Sequence, residues 1–281
     1  MATPEKSRCS KVIRPFSTAE DENRFGGKAI SLGRAVRAGL PVPPGFALSV
    51  DFVEAVVAGD PDVLDPLEEA FGALGTHVAV RSSAVGEDAK DASFAGQHVT
   101  ILNVGSTEAL ISAIRAVHQS AHSASALSYR QRLGVEGTPQ IAVAVQQLVD
   151  PESAGVLFTR NPVTGARERV IEAAWGLGEV VVSGLVVPDS YRISPEGQVL
   201  ERSVGEKDIE LRSKPDGGTE EVPVDPSRIR SRVLDDGQLE ALHQLVIRCE
   251  DAYGPELDVE WAFATKELFL LQCRSITRIQ S

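Results

Sequence analysis

Two runs near the end of the chain, LDVEWAFA at 257–264 and LFLLQCRSI at 268–276, restrict the fold more than any other feature. Each is an apolar run of strand length, and a short turn at Thr265 to Glu267 separates them, so the pair reads as a β-hairpin. Side chains two apart on a strand point to one face, which puts Asp258 and Glu260 together, and likewise Gln272 and Arg274. Pairing across the turn brings Glu260, Gln272 and Arg274 into one patch. Carboxylate and amide oxygens suit Mg²⁺, which takes few protein ligands and completes its shell with water and phosphate oxygens. Arg274 beside such an ion can meet the phosphate itself. An ordinary hairpin with a solvated polar face and a surface salt bridge fits the same pattern.

A second polar cluster stands at 78–98, VAVRSSAVGEDAKDASFAGQH. A strand over 78–82 runs into Arg81, Ser82 and Ser83, then into a loop ending in Ala95-Gly96-Gln97. A cation at a strand end, hydroxyls beside it and glycine-bearing backbone beyond make an anion site; a strand leaving the core through a polar turn looks the same. Lys28 follows Gly26-Gly27 at a helix start, where free N–H groups and a lysine favour phosphate, or where a lysine is simply exposed. Gln146 and Gln147 end the apolar run 141–145 and can supply amide and backbone bonds to an adenine edge, or be polar residues at a strand end. The glycines of AAWGLGEVVVSG, 173–184, allow close backbone approach to a ligand or tight turns. No GxxxxGK[ST] occurs and no GxGxxG opens a βα unit. The histidines at 77, 98, 118, 122 and 243 are scattered and read as structural or surface residues.

The chain of 281 residues is long enough for one large domain or two lobes. Helical spacing is expected over 26–40, over 51–75 with interruptions at Asp60-Pro61 and near Asp65-Pro66, over 107–133, and at about 238–252. Strand signals dominate after a turn at Gly134 to Pro139, which divides the chain into an N-terminal lobe, 1–138, and a strand-richer C-terminal lobe, 139–281. Residues 203–237, rich in charge, Gly and Pro, are expected to form exposed loops with a little β structure. With 42% hydrophobic and 24% charged residues the composition is that of a soluble globular protein. A formal charge of −12 argues against a nucleic-acid surface, while leaving room for a small basic pocket. Cys9, Cys249 and Cys273 have no metal-ligand spacing and fit a reducing compartment. No apolar run approaches about 20 residues, and residues 1–16 lack a signal-peptide core. A cytoplasmic protein with no membrane or nucleic-acid partner is expected.

Taken in order, GGKAISLGRAVRAGLPVPPGF, VRSSAVGEDAKDASFAGQ, AGVLFTRNPVTG, AAWGLGEVVVSGLVVPDSY, VGEKDIELR, and YGPELDVEWAF through LLQCRSIT carry a resemblance that spans residues 12–278. They resemble the ATP-binding domain of the phosphoenolpyruvate synthase and pyruvate phosphate dikinase family, which includes rifampin phosphotransferases. The resemblance implies an α+β, two-lobed ATP-grasp fold with ATP between the lobes. By resemblance Lys28 and Arg81 hold the phosphates, and the loop around Gly96, Gln97 and Thr100 closes over them. Gln146, Gln147, Leu148 and Val149 line the adenine hinge. Asp258, Glu260 and Gln272 fall where the family binds Mg²⁺ and its neighbours, and Arg274 where it contacts phosphate. The sequence departs from the family at Val99, where an acidic residue is usual, in a shortened run between Phe46 and Val78, and at Ser275, where proline is common.

Full-length members also carry a histidine that is phosphorylated in a Gly-Gly…Ser-His context, and none of the five histidines here has that context. The resemblance therefore implies ATP-dependent transfer of a phosphoryl or pyrophosphoryl group to a histidine on a separate carrier protein or domain, which passes it to a small-molecule acceptor. Direct transfer to a small molecule between the lobes, and a nucleotide-binding regulator without turnover, are the alternatives.

Overall fold

The computed structural model describes residues 11–75, 77–86, 99–132 and 137–276. The first half of the chain runs β1 (Ile13–Pro15), α1 (Glu22–Arg37), β2 (Gly45–Leu48), α2 (Val50–Ala58), α3 (Leu64–Gly72), β3 (Val78–Ala84), β4 (Thr100–Val104), α4 (Thr107–Ala121), α5 (Ala124–Arg132) and β5 (Ile141–Gln147). The second half runs β6 (Ser153–Phe158), β7 (Arg169–Trp175), α6 (Glu179–Val182), β8 (Asp189–Ile193), β9 (Val199–Ser203), β10 (Ile209–Ser213), β11 (Thr219–Pro223), α7 (Asp236–Tyr253), β12 (Leu257–Ala264) and β13 (Glu267–Ser275). The strands form two larger antiparallel sheets, ordered β1-β2-β5-β3-β4 and β13-β12-β6-β7-β8-β9, with β10 and β11 pairing separately. This is the α+β, two-lobed class expected from the sequence.

Alternation along the central strands of the first sheet decides what covers each face. Phe46, Leu48, Val78, Val80, Val143 and Val145 point one way and pack with Phe52 of α2 and Leu110 and Ile114 of α4. The intervening Ala47 and Ala144 point the other way, and their small size lets α1 lie close through Phe25, Ala29 and Leu32. Register continues that second face as Ser83 opposite Ala142, Arg81 opposite Ala144 and Ala79 opposite Gln146. The second sheet is organised in the same manner. Leu157, Ile171, Val259, Trp261 and Phe263 meet Leu242, Leu245 and Val246 of α7 on one face, while Val156 and Ala174 meet α6 on the other.

Helix ends follow local chemistry. Asp235 and Gln238 form a reciprocal capping box at the start of α7. Pro66 does not interrupt the chain as expected; it lies in the first turn of α3, where its missing N–H has no helical acceptor to lose. The long helix expected over 107–133 is broken at His122 and Ser123, and Ser123 Oγ accepts from Ala126 N at 3.3 Å to restart it as α5.

Two further expectations are corrected. The division at 138/139 would separate β5 from the sheet it centres, so by sheet membership the lobes divide between Gln147 and Ser153. In residues 203–237 the little β structure expected is the β10–β11 hairpin, but the segment is not simply exposed, since Lys207 is fully buried and paired with Asp189. Asp189 also accepts from Gly205 N at 2.9 Å and Val233 N at 2.8 Å, so the buried charges are satisfied from several sides.

Gly26 marks a kink in α1, at φ 71° and ψ 165°. A Cβ there would lie 2.1 Å from Ser83 O. Gly26→Ala combines a left-handed backbone with that clash, and should cost at least about 2 kcal/mol. Thermal unfolding should shift down by roughly 4–8 °C; an unchanged midpoint would mean the kink is not required.

His243, on the buried face of α7, accepts at Nδ1 from Arg169, whose other nitrogen reaches Glu250 at 2.9 Å. Burial first, and the Arg169 charge second, hold this imidazole below its ordinary pKa, so the folded state keeps it neutral. A lowered folded pKa means that the unfolded chain takes the proton first as pH falls. The histidine's contribution is therefore complete above about pH 6.5 and is lost below it. Denaturant unfolding of wild type should weaken between pH 7 and 5, and His243→Gln should remove that component of the slope.

Candidate functional site

The kink at Gly26 builds the first part of the site. Ser83 Oγ donates to Phe25 O at 2.7 Å and accepts from Ala29 N at 3.0 Å, bridging both sides of the break. The helix therefore resumes at Gly27 and Lys28 with its start held against β3. Arg81, two residues from Ser83 on the same strand face, projects beside it. Both cations are buried, each with 8% exposure.

The second part comes from the terminal hairpin. Thr265 and Lys266 both adopt positive φ, 49° and 66°, giving a two-residue turn that sets Trp261 opposite Leu270. That register alone would place Leu271 opposite Glu260. A bulge after Glu260 absorbs the extra residue, so that Glu260 faces Gln272 and Asp258 faces Arg274. The polar patch expected from spacing is thus formed, with an irregularity that spacing could not show.

The two parts meet across the cleft between the sheets. Lys28 Nζ donates to Gln272 Oε1 at 2.5 Å, and Arg81 Nη1 pairs with Glu260 Oε2 at 3.1 Å. Arg274 pairs with Asp258 through Nε at 2.8 Å and Nη2 at 2.7 Å. Ser31 Oγ donates to Cys273 O at 2.5 Å and Tyr253 OH to Ser31 O at 2.6 Å, fastening α1 to the second lobe nearby. Burial alone would raise the Glu260 carboxyl, but the Arg81 and Lys28 charges outweigh it and hold the group below the ordinary range. Asp258 is shifted the other way: burial raises it and the Arg274 pair only partly offsets this.

These groups line a cavity of about 400 Å³ together with Thr100, Gln146, Gln147, Leu148 and Val149. The backbone at its apolar end is held by Gln147 N to Pro44 O at 2.8 Å and Leu148 N to His77 O at 2.9 Å. Gln146 is 1% exposed, and its Nε2 has no partner among the described residues; the same holds for Arg81 Nε. Asp258 does not line the cavity and serves Arg274 instead. Gly96 and Gln97 lie outside the described residues.

The glycine-bearing stretch 173–184, marked in the sequence for close approach to a ligand, supplies the wall formed by Leu177, Gly178 and Glu179, whereas Ala79 and Leu102 were not singled out. Ala79 and Leu102 carry no chemistry that marks them in a sequence. Among the described residues no three His, Cys, Asp or Glu converge as a metal cluster, and no helix is long and apolar enough to cross a membrane.

Two antiparallel sheets closing on a cation-lined cleft are the ATP-grasp arrangement. The pyruvate phosphate dikinase AMP/ATP-binding domain model matches residues 59–281, and the chain belongs to that family. A probable phosphoenolpyruvate synthase of Methanothermobacter thermautotrophicus is 36% identical over 92% of this chain and 45% of its own length. Rifampicin phosphotransferase of Streptomyces sviceus is 35% identical over 90% of this chain and 34% of its own. The prodigiosin synthesizing transferase PigC of Serratia marcescens is 35% identical, over 92% and 32%. The chain thus spans less than half the length of these relatives. Among solved structures, D-alanyl-alanine synthetase A of Vibrio cholerae aligns over 94% of this chain and 59% of its own, with a TM-score of 0.41 and 13% identity.

If Arg81 and Glu260 are mutual partners in a desolvated cleft, removing either alone should be costlier than removing both. A cycle of Arg81→Met, Glu260→Gln and the double variant should give a coupling of about 1–3 kcal/mol in denaturant unfolding. Additive losses would show that the pair contributes no specific interaction.

Proposed function

We propose that this domain binds Mg²⁺-ATP between its sheets and delivers a phosphoryl or pyrophosphoryl group to a histidine on a separate carrier protein or domain, in the cytoplasm, with a small molecule as final acceptor. The observation that carries this reading is the convergence of two buried cations from one lobe, Lys28 and Arg81, with Glu260 and Gln272 from the other. Buried positive charge facing a cleft between the lobes suits a polyphosphate, and Arg274 at the same wall adds a third cation. The Gln146 amide and the backbone of Gln147 to Val149, at the apolar end, suit the base.

The donor set fits a magnesium ion. Glu260 offers a carboxylate held ionised by its neighbours, and Gln272 a neutral oxygen, while Asp258 is committed to Arg274 and orients it. A bound Mg²⁺ would supply charge neutralisation at the phosphates. Lys28 and Arg81 would hold the chain of phosphates in line and stabilise charge as the bond to the leaving group lengthens. Thr100, directly opposite Arg81 in the sheet, presents a hydroxyl to the same region. Nothing in this set is a covalent nucleophile, which is consistent with a histidine supplied from elsewhere.

The test separates phosphate from base recognition. Lys28→Ala and Arg81→Ala should each weaken ATP about ten-fold or more, since charge-assisted bonds contribute roughly 1.5–3 kcal/mol. Adenosine affinity should move less than two-fold by calorimetry. Equal losses for both ligands would make these residues supports of the fold. Incubation with labelled ATP and a histidine-bearing carrier should give an acid-labile, base-stable label on the carrier. Rapid labelling of a free small molecule without any carrier would replace the carrier reading with direct transfer.

A further inference from the structure

The β10–β11 hairpin does not line the cavity, yet it touches both of the walls that do. Midway along β10, Leu211 O accepts from Leu177 N at 3.0 Å, and Leu211 bridges to Gly176. Gly176 has φ 71°, and a Cβ there would lie 2.5 Å from Leu211 O, so the approach needs glycine. Leu177 and Gly178 form the cavity wall on the second lobe.

At its tip the hairpin reaches the first lobe. Asn103 Nδ2 donates to Lys214 O at 2.7 Å and to Gly218 O at 2.6 Å, so both amide hydrogens are used. Gly218 N donates in return to Asn103 O at 3.0 Å. Asn103 is 3% exposed and sits at φ 60°, a conformation asparagine tolerates better than most residues. It lies where the β3–β4 register shifts: Val78 faces Val104, but Val80 faces Ile101 and Arg81 faces Thr100. One residue thus closes the hairpin tip and sets the register of the strand that carries Thr100 and Leu102 into the cavity.

We infer that Asn103 is a positioning residue for the bound nucleotide, and that the β10–β11 hairpin is an interlobe clasp fixing the separation of the two cavity walls. It touches neither phosphate nor base. Its effect comes through Thr100 and Leu102 on one side and Leu177 and Gly178 on the other. The inference rests on the nucleotide reading above. A ligand held between walls on separate lobes leaves when the lobes part, so a weakened clasp acts chiefly on release.

The experiment uses the full chain and a fluorescent ATP analogue in stopped flow, with unfolding of the ligand-free protein measured in parallel. Asn103→Gly keeps the backbone conformation and removes the donors. Asn103→Asp keeps the shape but turns a carboxylate oxygen toward two carbonyls. Release should quicken at least about five-fold in Asn103→Gly and more in Asn103→Asp, with association changed less than about two-fold. Glu220→Gln, on the exposed part of β11, should leave both rates unchanged. Release within two-fold of wild type in both variants overturns the clasp, whether or not they melt earlier. Failure of both variants to fold also overturns it, assigning Asn103 to stability alone. Absence of binding by wild type would instead defeat the nucleotide reading itself.

Discussion

Two cations taken out of water on one lobe need company from the other. Isolated, each would cost several kcal/mol of lost hydration. Lys28 and Arg81 escape that cost through Gln272 and Glu260, contributed from more than 170 residues later in the chain. The local irregularities around the cleft serve this meeting. The kink at Gly26 turns Lys28 inward, Ser83 holds the kink against β3, and the bulge after Glu260 brings Gln272 opposite it. Each departure from regular geometry is local, and together they place charges from two sheets within bonding distance.

The same constraint explains why small residues lie between α1 and the first sheet. A large side chain in place of Ala144 would stand opposite Arg81 and push α1 away from the sheet. With alanine there, α1 approaches closely enough for Ser83 to reach both Phe25 and Ala29. The large residues of the same strands are confined to the other face, where α2 and α4 bury them. Packing and charge placement are therefore two readings of one alternation.

Much of this was legible in the sequence because strands encode faces by parity. Asp258 with Glu260, and Gln272 with Arg274, could be paired by counting alone, and the hairpin turn lay where the apolar runs break. The expectations that failed involve tertiary choices. The run at 141–147 follows a plausible linker, but it completes the earlier sheet because β2 and β3 both require it as a partner. Pro66 looked like a breaker because its tolerance depends on where the preceding helix cap falls. Asn103 gave no signal, and Lys207, though inside the VGEKDIELR motif, gave none of its burial, since what they do depends on segments distant in sequence. Asp258 was placed among metal oxygens by resemblance, whereas in the fold Arg274 takes it first.

The strand order also carries a consequence for biosynthesis. β6 lies between β7 and β12, and β12 follows it by roughly a hundred residues. At a translation rate of about 5–20 residues per second, that is an interval of roughly 5–20 s in which β6 has one unpaired edge. An unpaired hydrophobic edge is a template for association with other chains. During the same interval the first sheet is complete while Lys28 and Arg81 still lack their partners Gln272 and Glu260, and so must stay hydrated. Arrival of β12 and β13 ends both conditions in one step, making the last hairpin at once the seal of an aggregation-prone edge and the trigger for desolvating the cleft.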